Sequence, residues 1–216
     1  MPDSNVVFEA YPKVPLQEFV PELAFEFTEM PEDGLPFFIL RAISRIARDG
    51  NILRRTATIR TQSCVESYIL DPPDCMDIVA IMGVRLVRSP GCCSGPVRRL
   101  TFEPCHIDCG TMSWFEEPNI IHFSPAKCNN VFSVNMSVTP TRHTCEVDKK
   151  LLTDYYDLVM YGTKSYLYSM ADKPWSSVTR AQEYEQRFLL GIRDASVQTM
   201  LGGQRGALKA KHMRIL

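Results

Sequence analysis

The sequence predicts an α+β fold: a small helical bundle, made of one N-terminal helix and a C-terminal antiparallel helical hairpin, with an inserted antiparallel β-sheet or sandwich domain and extended terminal arms. Three observations predict it. Residues 36–48 and 148–197 carry apolar side chains at helical spacing. Residues 56–138 switch to alternating, β-branched stretches cut by turn residues. The segments before and after show neither period. The expected organisation is an extended N-terminal arm over 1–34, a first bundle helix over 35–55 and an inserted β-domain over 56–147. A helical hairpin over 148–200 and a flexible basic arm over 201–216 complete it.

Taken in order, the arm carries Pro2, Pro12, Pro15, Pro21 and Pro31, which fix φ and remove donors, with at most a short turn near Gln17–Val20. Pro36 then suits the first turn of a helix whose apolar stripe is Ile39, Ile43, Ile46 and Ala47 and which Gly50 ends. Arg41, Arg45 and Arg48 recur at i, i+4 and i+7 on another face. Such a face is either solvated or salt-linked to a neighbour's acids, which makes the three arginines candidates for contacts between subunits.

Strands are expected over 56–70, 77–87, 98–102, 111–115, 119–123 and 131–139, separated by segments such as Asp71-Pro72-Pro73-Asp74 and Ser89-Pro90-Gly91. Helical spacing resumes through Leu151, Leu152, Tyr155, Leu158, Val159 and Tyr166 to about residue 171. Gly162 sits inside that run at a propensity cost of about 1 kcal/mol, which points to a close helix–helix approach. After a turn holding Trp175, a packing residue that closes the hairpin, a second helix over 177–197 presents Ala181, Tyr184, Phe188, Ile192 and Ala195. Leu201-Gly202-Gly203-Gln204-Arg205-Gly206 reads as a hinge before the basic tail.

The chain of 216 residues balances 24 basic against 25 acidic side chains, which argues against a nucleic-acid-coating protein and against an acidic tail protein. The balance conceals a gradient. Residues 1–33 hold eight acids against Lys13 alone, whereas residues 195–216 hold Arg205, Lys209, Lys211, Arg214 and His212 and no acid. The apolar run Ile78 to Val84 is far shorter than a bilayer needs, and the first residues lack a secretory signal pattern. A non-membrane protein made inside the cell is expected.

Eight cysteines fall between Cys64 and Cys145. With that expectation and ample apolar composition, reduced buried thiols fit better than a disulfide framework. Cys92, Cys93, Cys105, His106 and Cys109 have the right chemistry for zinc, but adjacent cysteines do not form the paired hooks a zinc site uses, so no metal is expected. Cys128 with His122 or His143 could serve as nucleophile and base, yet nothing local marks activation, and His122 reads as an outward-facing polar residue of a strand. No nucleophile elbow, phosphate loop or HExxH helix occurs. No enzyme activity and no cofactor are expected.

The helix containing Leu35-Pro36-Phe37-Phe38-Ile39-Leu40-Arg41-Ala42, the strands holding Tyr68–Asp74, Pro118–Pro125 and Val131–Pro140, and the hairpin from Leu151 through Gly162, Trp175, Phe188 and Ala195 together resemble the head-to-tail adaptor (connector) proteins of tailed bacteriophages, the class of tail tubular protein A and related head-completion proteins. The resemblance spans roughly residues 35–197 and omits the cysteine cluster. It implies a virion structural protein of the neck, made in the host bacterial cytoplasm. It further implies a homo-oligomeric ring, commonly twelvefold, between the portal protein and the tail tube or nozzle protein. Genomic DNA would pass through the ring without specific binding, and a terminal extension would reach into the portal. By position and character that extension is the tail, with Arg205, Lys209, Lys211 and Arg214 as portal contacts and Ile215 and Leu216 as apolar anchors. The alternatives are another ring-forming tail or head-completion component, such as a terminator or stopper, and a metal-stabilised interaction module.

Overall fold

The computed structural model describes residues 6–62, 65–72, 75–88, 112–117, 119–124 and 130–200. They form an α+β fold with antiparallel sheets. The central helix α2 (Leu35–Gly50) buries Leu35, Ile39, Ala42, Ile43, Ile46 and Ala47, the stripe its periodicity predicts, with Pro36 in its first turn. Its end is set one residue later than expected. Asn51, not Gly50, takes the left-handed conformation (φ 50°) and returns its N–H to the Ala47 carbonyl.

The hairpin that packs on α2 consists of α4 (Tyr156–Tyr168) and α5 (Val178–Met200). The single helix expected from residue 148 is broken: a short α3 (Lys149–Thr153) ends before Tyr155, whose backbone leaves helical geometry. The reason is packing. α3 lies against the small strands described below while α4 lies against α2, and one straight helix cannot serve both. Gly162 occupies the three-helix junction, where a Cβ would stand 2.6 Å from a ring carbon of Phe188 on α5 and 3.0 Å from the Ala42 Cβ on α2.

The main sheet has the order β1 (Val6–Phe8), β3 (Arg54–Arg60), β8 (Val131–Pro140), β5 (Met76–Arg88), all antiparallel. Its inner face follows the strand period: Ala57 pairs with Val134, Ile59 with Phe132 and Ile81 with Met136, all buried. Three register shifts in β5 absorb its length. A second sheet, β4 (Ser67–Ile69), β7 (Ile120–Ser124), β6 (Met112–Glu117), contributes Tyr68, Ile121 and Phe123. Phe123 stacks on Phe132 at 4.3 Å between centroids, so the two sheets face each other as a small sandwich. The stretch expected as one strand over 56–70 is therefore two, β3 and β4, in different sheets. The strand expected over 98–102 lies outside the described residues.

Residues 6–34 differ from the extended arm the prolines suggested. β1 joins the main sheet, β2 (Lys13–Pro15) pairs with β9 (Glu146–Asp148), and a 3₁₀ turn (Leu16–Phe19) leads into α1 (Val20–Glu26), which packs on α2. Val14, Leu16, Phe19, Leu23 and Phe27 are buried. Proline here punctuates short elements instead of forbidding them: Pro21 opens α1, where its missing N–H costs nothing.

The chain leaves the bundle through Ile52 and Leu53 into β3 and returns through β9, and one buried contact ties these crossings together. Arg55 and Asp148 form a bidentate pair at 2.9 and 2.6 Å, and Tyr11 lies beneath the guanidinium at 4.2 Å. Arg55 is only 1% exposed. Both charges are therefore satisfied by each other, as burial at that depth requires.

Candidate interaction surfaces

The arginine face of α2 divides into residues used within the chain and residues presented to solvent. Arg45 is spent inside: its Nη1 meets Glu185 of α5 at 2.7 Å, its guanidinium lies over the Phe188 ring, and it bonds Tyr166 of α4. Burial works against its charge, but the bonds to Tyr166 and Glu185 outweigh that and raise its pKa. Ser165 donates to the same Glu185 at 3.2 Å, so one polar clamp links the three bundle helices. Arg41 lies over the Tyr166 ring at 4.4 Å and is otherwise exposed, and Arg48 is exposed.

A second network seals α1 to the hairpin. Lys164 of α4 reaches Glu22 and Glu26 of α1, each at 2.8 Å. Tyr168 donates to Glu26 and accepts from Arg180 of α5 at 3.0 Å. Tyr168 also stacks flat on Tyr184, which in turn meets Tyr161. Desolvation alone would lower the Lys164 pKa, yet its bonds to both carboxylates raise it, while the Lys164 bond lowers that of Glu22 against the opposing effect of burial.

The signs give a pH prediction. A raised lysine stabilises fully below its ordinary value of 10.5 and loses that contribution as pH climbs through the folded value; a depressed carboxylate stabilises above 4.5 and loses it as pH falls. Thermal melts at pH 7 and pH 4 should therefore show a larger drop for the wild-type chain than for Lys164→Met. Solvent around the half-exposed Glu22 holds the difference below about 1 kcal/mol. Equal drops would contradict this role for the network.

Two clefts open beside these networks. One, of 350 Å³, lies on the outer face of the main sheet between Arg54, Thr56, Gly83, Arg85 and Asn135. The other, of 260 Å³, lies between Tyr11, Ile52, Lys150 and Thr199 above the Arg55–Asp148 pair, so its buried charges already neutralise each other. No group of three His, Cys, Asp or Glu residues able to hold a metal occurs among the described residues, and no helix among them is long and apolar enough to cross a membrane.

Cys75 and Cys145 are free thiols but exposed, where buried ones were expected, because Cys75 stands in the turn before β5 and Cys145 in the irregular segment just ahead of β9. Cys92, Cys93, Cys105, His106, Cys109 and Cys128 lie outside the described residues. His122 is half-buried and meets Ser67 through Nδ1 at 2.9 Å. Trp175 packs edge-on against Phe27 beside the turn between α4 and α5. The expected portal contacts Arg205, Lys209, Lys211, Arg214, Ile215 and Leu216 also lie outside the described residues.

Sequence reasoning passed over the most exposed aromatic side chain of the helices. Phe25 of α1 is 87% exposed, between the buried Leu23 and Phe27. Phe37, in the first turn of α2, is 62% exposed. Exposed aromatic residues flanked by charge are the composition of an interface, not of a solvated surface.

Comparison with known proteins adds one finding. The family model described as SU10 adaptor protein matches residues 15–208, from β2 to beyond α5. No curated protein matches the chain.

Proposed function

Because the chain belongs to the SU10 adaptor protein family and is thus a phage structural adaptor, we propose that it forms a ring, twelvefold by analogy with connectors, that joins the portal to the tail and continues the DNA channel. The observation that carries this reading is the family match, which runs through the bundle, the sandwich and the hairpin alike. The mechanics follow from the fold. A bundle clamped by Arg45, Tyr166 and Glu185, with a sandwich fixed to its base by Arg55 and Asp148, suits a part that must transmit load without deforming.

The near-neutral charge agrees with a conduit that lets DNA slide, since phosphate contacts would otherwise dominate affinity and hold it. In this reading the basic tail after α5 docks on the portal. Arg205, Lys209, Lys211 and Arg214 supply charge, and Ile215 and Leu216 are the anchors. A segment that orders on docking loses entropy but can wrap a large surface.

The test is co-sedimentation of the purified chain with isolated portal rings. Deleting residues 205–216 should abolish docking while leaving the melting temperature unchanged. Docking at wild-type stoichiometry by the truncated chain would refute the assignment of the tail.

A further inference from the structure

A closed ring needs two different, mutually complementary patches on each subunit, and the exposed faces of α1 and α2 supply such a pair. On the α1 side, Phe25 lies in α1, Glu18 in the 3₁₀ turn before it and Glu29 in the turn after it, seven and four residues apart in sequence and all exposed, with Phe25 the most exposed large apolar side chain of the described residues. On α2, Phe37, Arg41 and Arg48 stand at intervals of four and seven, again all exposed. Read antiparallel, the sequence intervals of the two sets coincide. Phe25 falls opposite Arg41, Glu18 opposite Arg48, and Glu29 beside Phe37. Neither Glu18 nor Glu29 has an ion-pair partner among the described residues, and Arg48 has none either.

We propose that the α1 face of one copy docks antiparallel on the α2 arginine stripe of the next copy, with Phe25 as the central anchor. This rests on the ring reading above and assigns its subunit joint. The chemistry is specific at each point. One face of the Arg41 guanidinium is already covered by Tyr166, and Phe25 of the neighbour closes the other, a cation between two rings. Glu18 against Arg48 fixes the register, because a slipped pairing would separate these two charges and take Phe25 off the Arg41 guanidinium. The occupant is a second copy because segment 14–40 carries six acids and no base, while the arginine stripe begins at residue 41, so each subunit offers the complement of its own other face. Arg45 is excluded from the joint because Glu185 and Tyr166 hold it.

The experiment uses full-length chains assembled on isolated portal rings and read by native mass spectrometry and particle imaging. Arg41→Glu/Arg48→Glu alone, and Glu18→Arg/Glu29→Arg alone, should each reduce closed rings by about tenfold or more relative to wild type, while keeping wild-type melting temperatures. An equimolar mixture of the two should restore rings in which the variants alternate, since the joints then pair, in turn, an acidic face with an arginine face and a reversed face with a reversed face. If the wild type closes rings but either variant closes them equally well, or the mixture does not, this joint is wrong and the ring reading stands. If the wild type itself closes no ring, the ring reading fails, and the joint fails with it.

Discussion

Gly162→Ala should lower the melting temperature by about 4–8 °C, although alanine is the better helix former. The substitution gains about 1 kcal/mol of intrinsic propensity. Against this, the new methyl would stand 2.6 and 2.7 Å from two ring carbons of Phe188 and 3.0 Å from the Ala42 Cβ. Neither neighbour can swing away: Phe188 and Ala42 are both fully buried, and each lies on a helix that packs against α4. Overpacking of that kind costs about 1–3 kcal/mol, here at the upper end because all three bundle helices must part. A net loss near 2 kcal/mol corresponds to the stated shift for a chain of this size. Phe188→Leu in the Gly162→Ala background should recover part of it. The comparison variant Gly191→Ala should cost less, since the atom in its way is the flexible Leu158 Cδ1. Thermal denaturation of the four proteins checks the ordering, and an unchanged Gly162→Ala would contradict the three-helix contact.

Asp148→Ala should be the most damaging single substitution, at about 3–5 kcal/mol, because it strands a buried guanidinium. Arg55 is fully enclosed, and both its carboxylate contacts come from Asp148; the remaining support is the Tyr11 ring and the Arg54 carbonyl, which accepts from Nη1 at 3.1 Å. The pair itself need not be worth that much. Replacing both partners, as in Arg55→Met/Asp148→Leu, should return most of the stability, since the desolvation cost of two ions disappears along with their attraction. The distinctive consequence is spatial. The pair joins the strand by which the chain leaves the bundle to the strand by which it returns, so hydrogen exchange in Asp148→Ala should quicken first in β2, β3 and β9, ahead of α2 and α4. Uniform acceleration would mean that the pair is not the link between sandwich and bundle.

The parts of this fold that could be read in the sequence are those whose partners are near in the chain. The α2 stripe, the α4–α5 hairpin and the close approach at Gly162 all rest on spacings within one or two helices. What escaped is non-local. Val14 is buried by pairing with Val147, and Arg55 by Asp148, 93 residues away; a three-residue strand between prolines gives no period by which to find it. Tyr155 breaks the expected long helix because its two halves have different partners, which no pattern inside the segment reveals. The interaction surfaces were half legible. The arginine spacing was evident, but Arg41 and Arg48 differ from Arg45 only in what lies across from them. Phe25 sits between two buried apolar residues, and sequence cannot say which of three neighbours faces outward.

The prolines carried the same ambiguity. Pro21, Pro31 and Pro36 stand at the starts of helical turns in the structure, where a missing N–H is harmless. In the sequence Pro36 reads as a helix start, whereas Pro21 and Pro31 read as parts of an extended arm. The difference lies in Phe19, Leu23 and Phe27, whose burial against the bundle outweighs the short length of α1.

We propose above that this adaptor forms the ring between portal and tail. It is tested most directly by a symmetry-resolved electron cryomicroscopy reconstruction of the neck of the phage particle that carries it. The reconstruction should show a closed ring of this chain directly beneath the portal, with the hairpin helices in the ring wall and the segment after Met200 in contact with the portal. Density for this chain elsewhere in the particle, or a portal joined to the tail without it, would overturn the ring assignment.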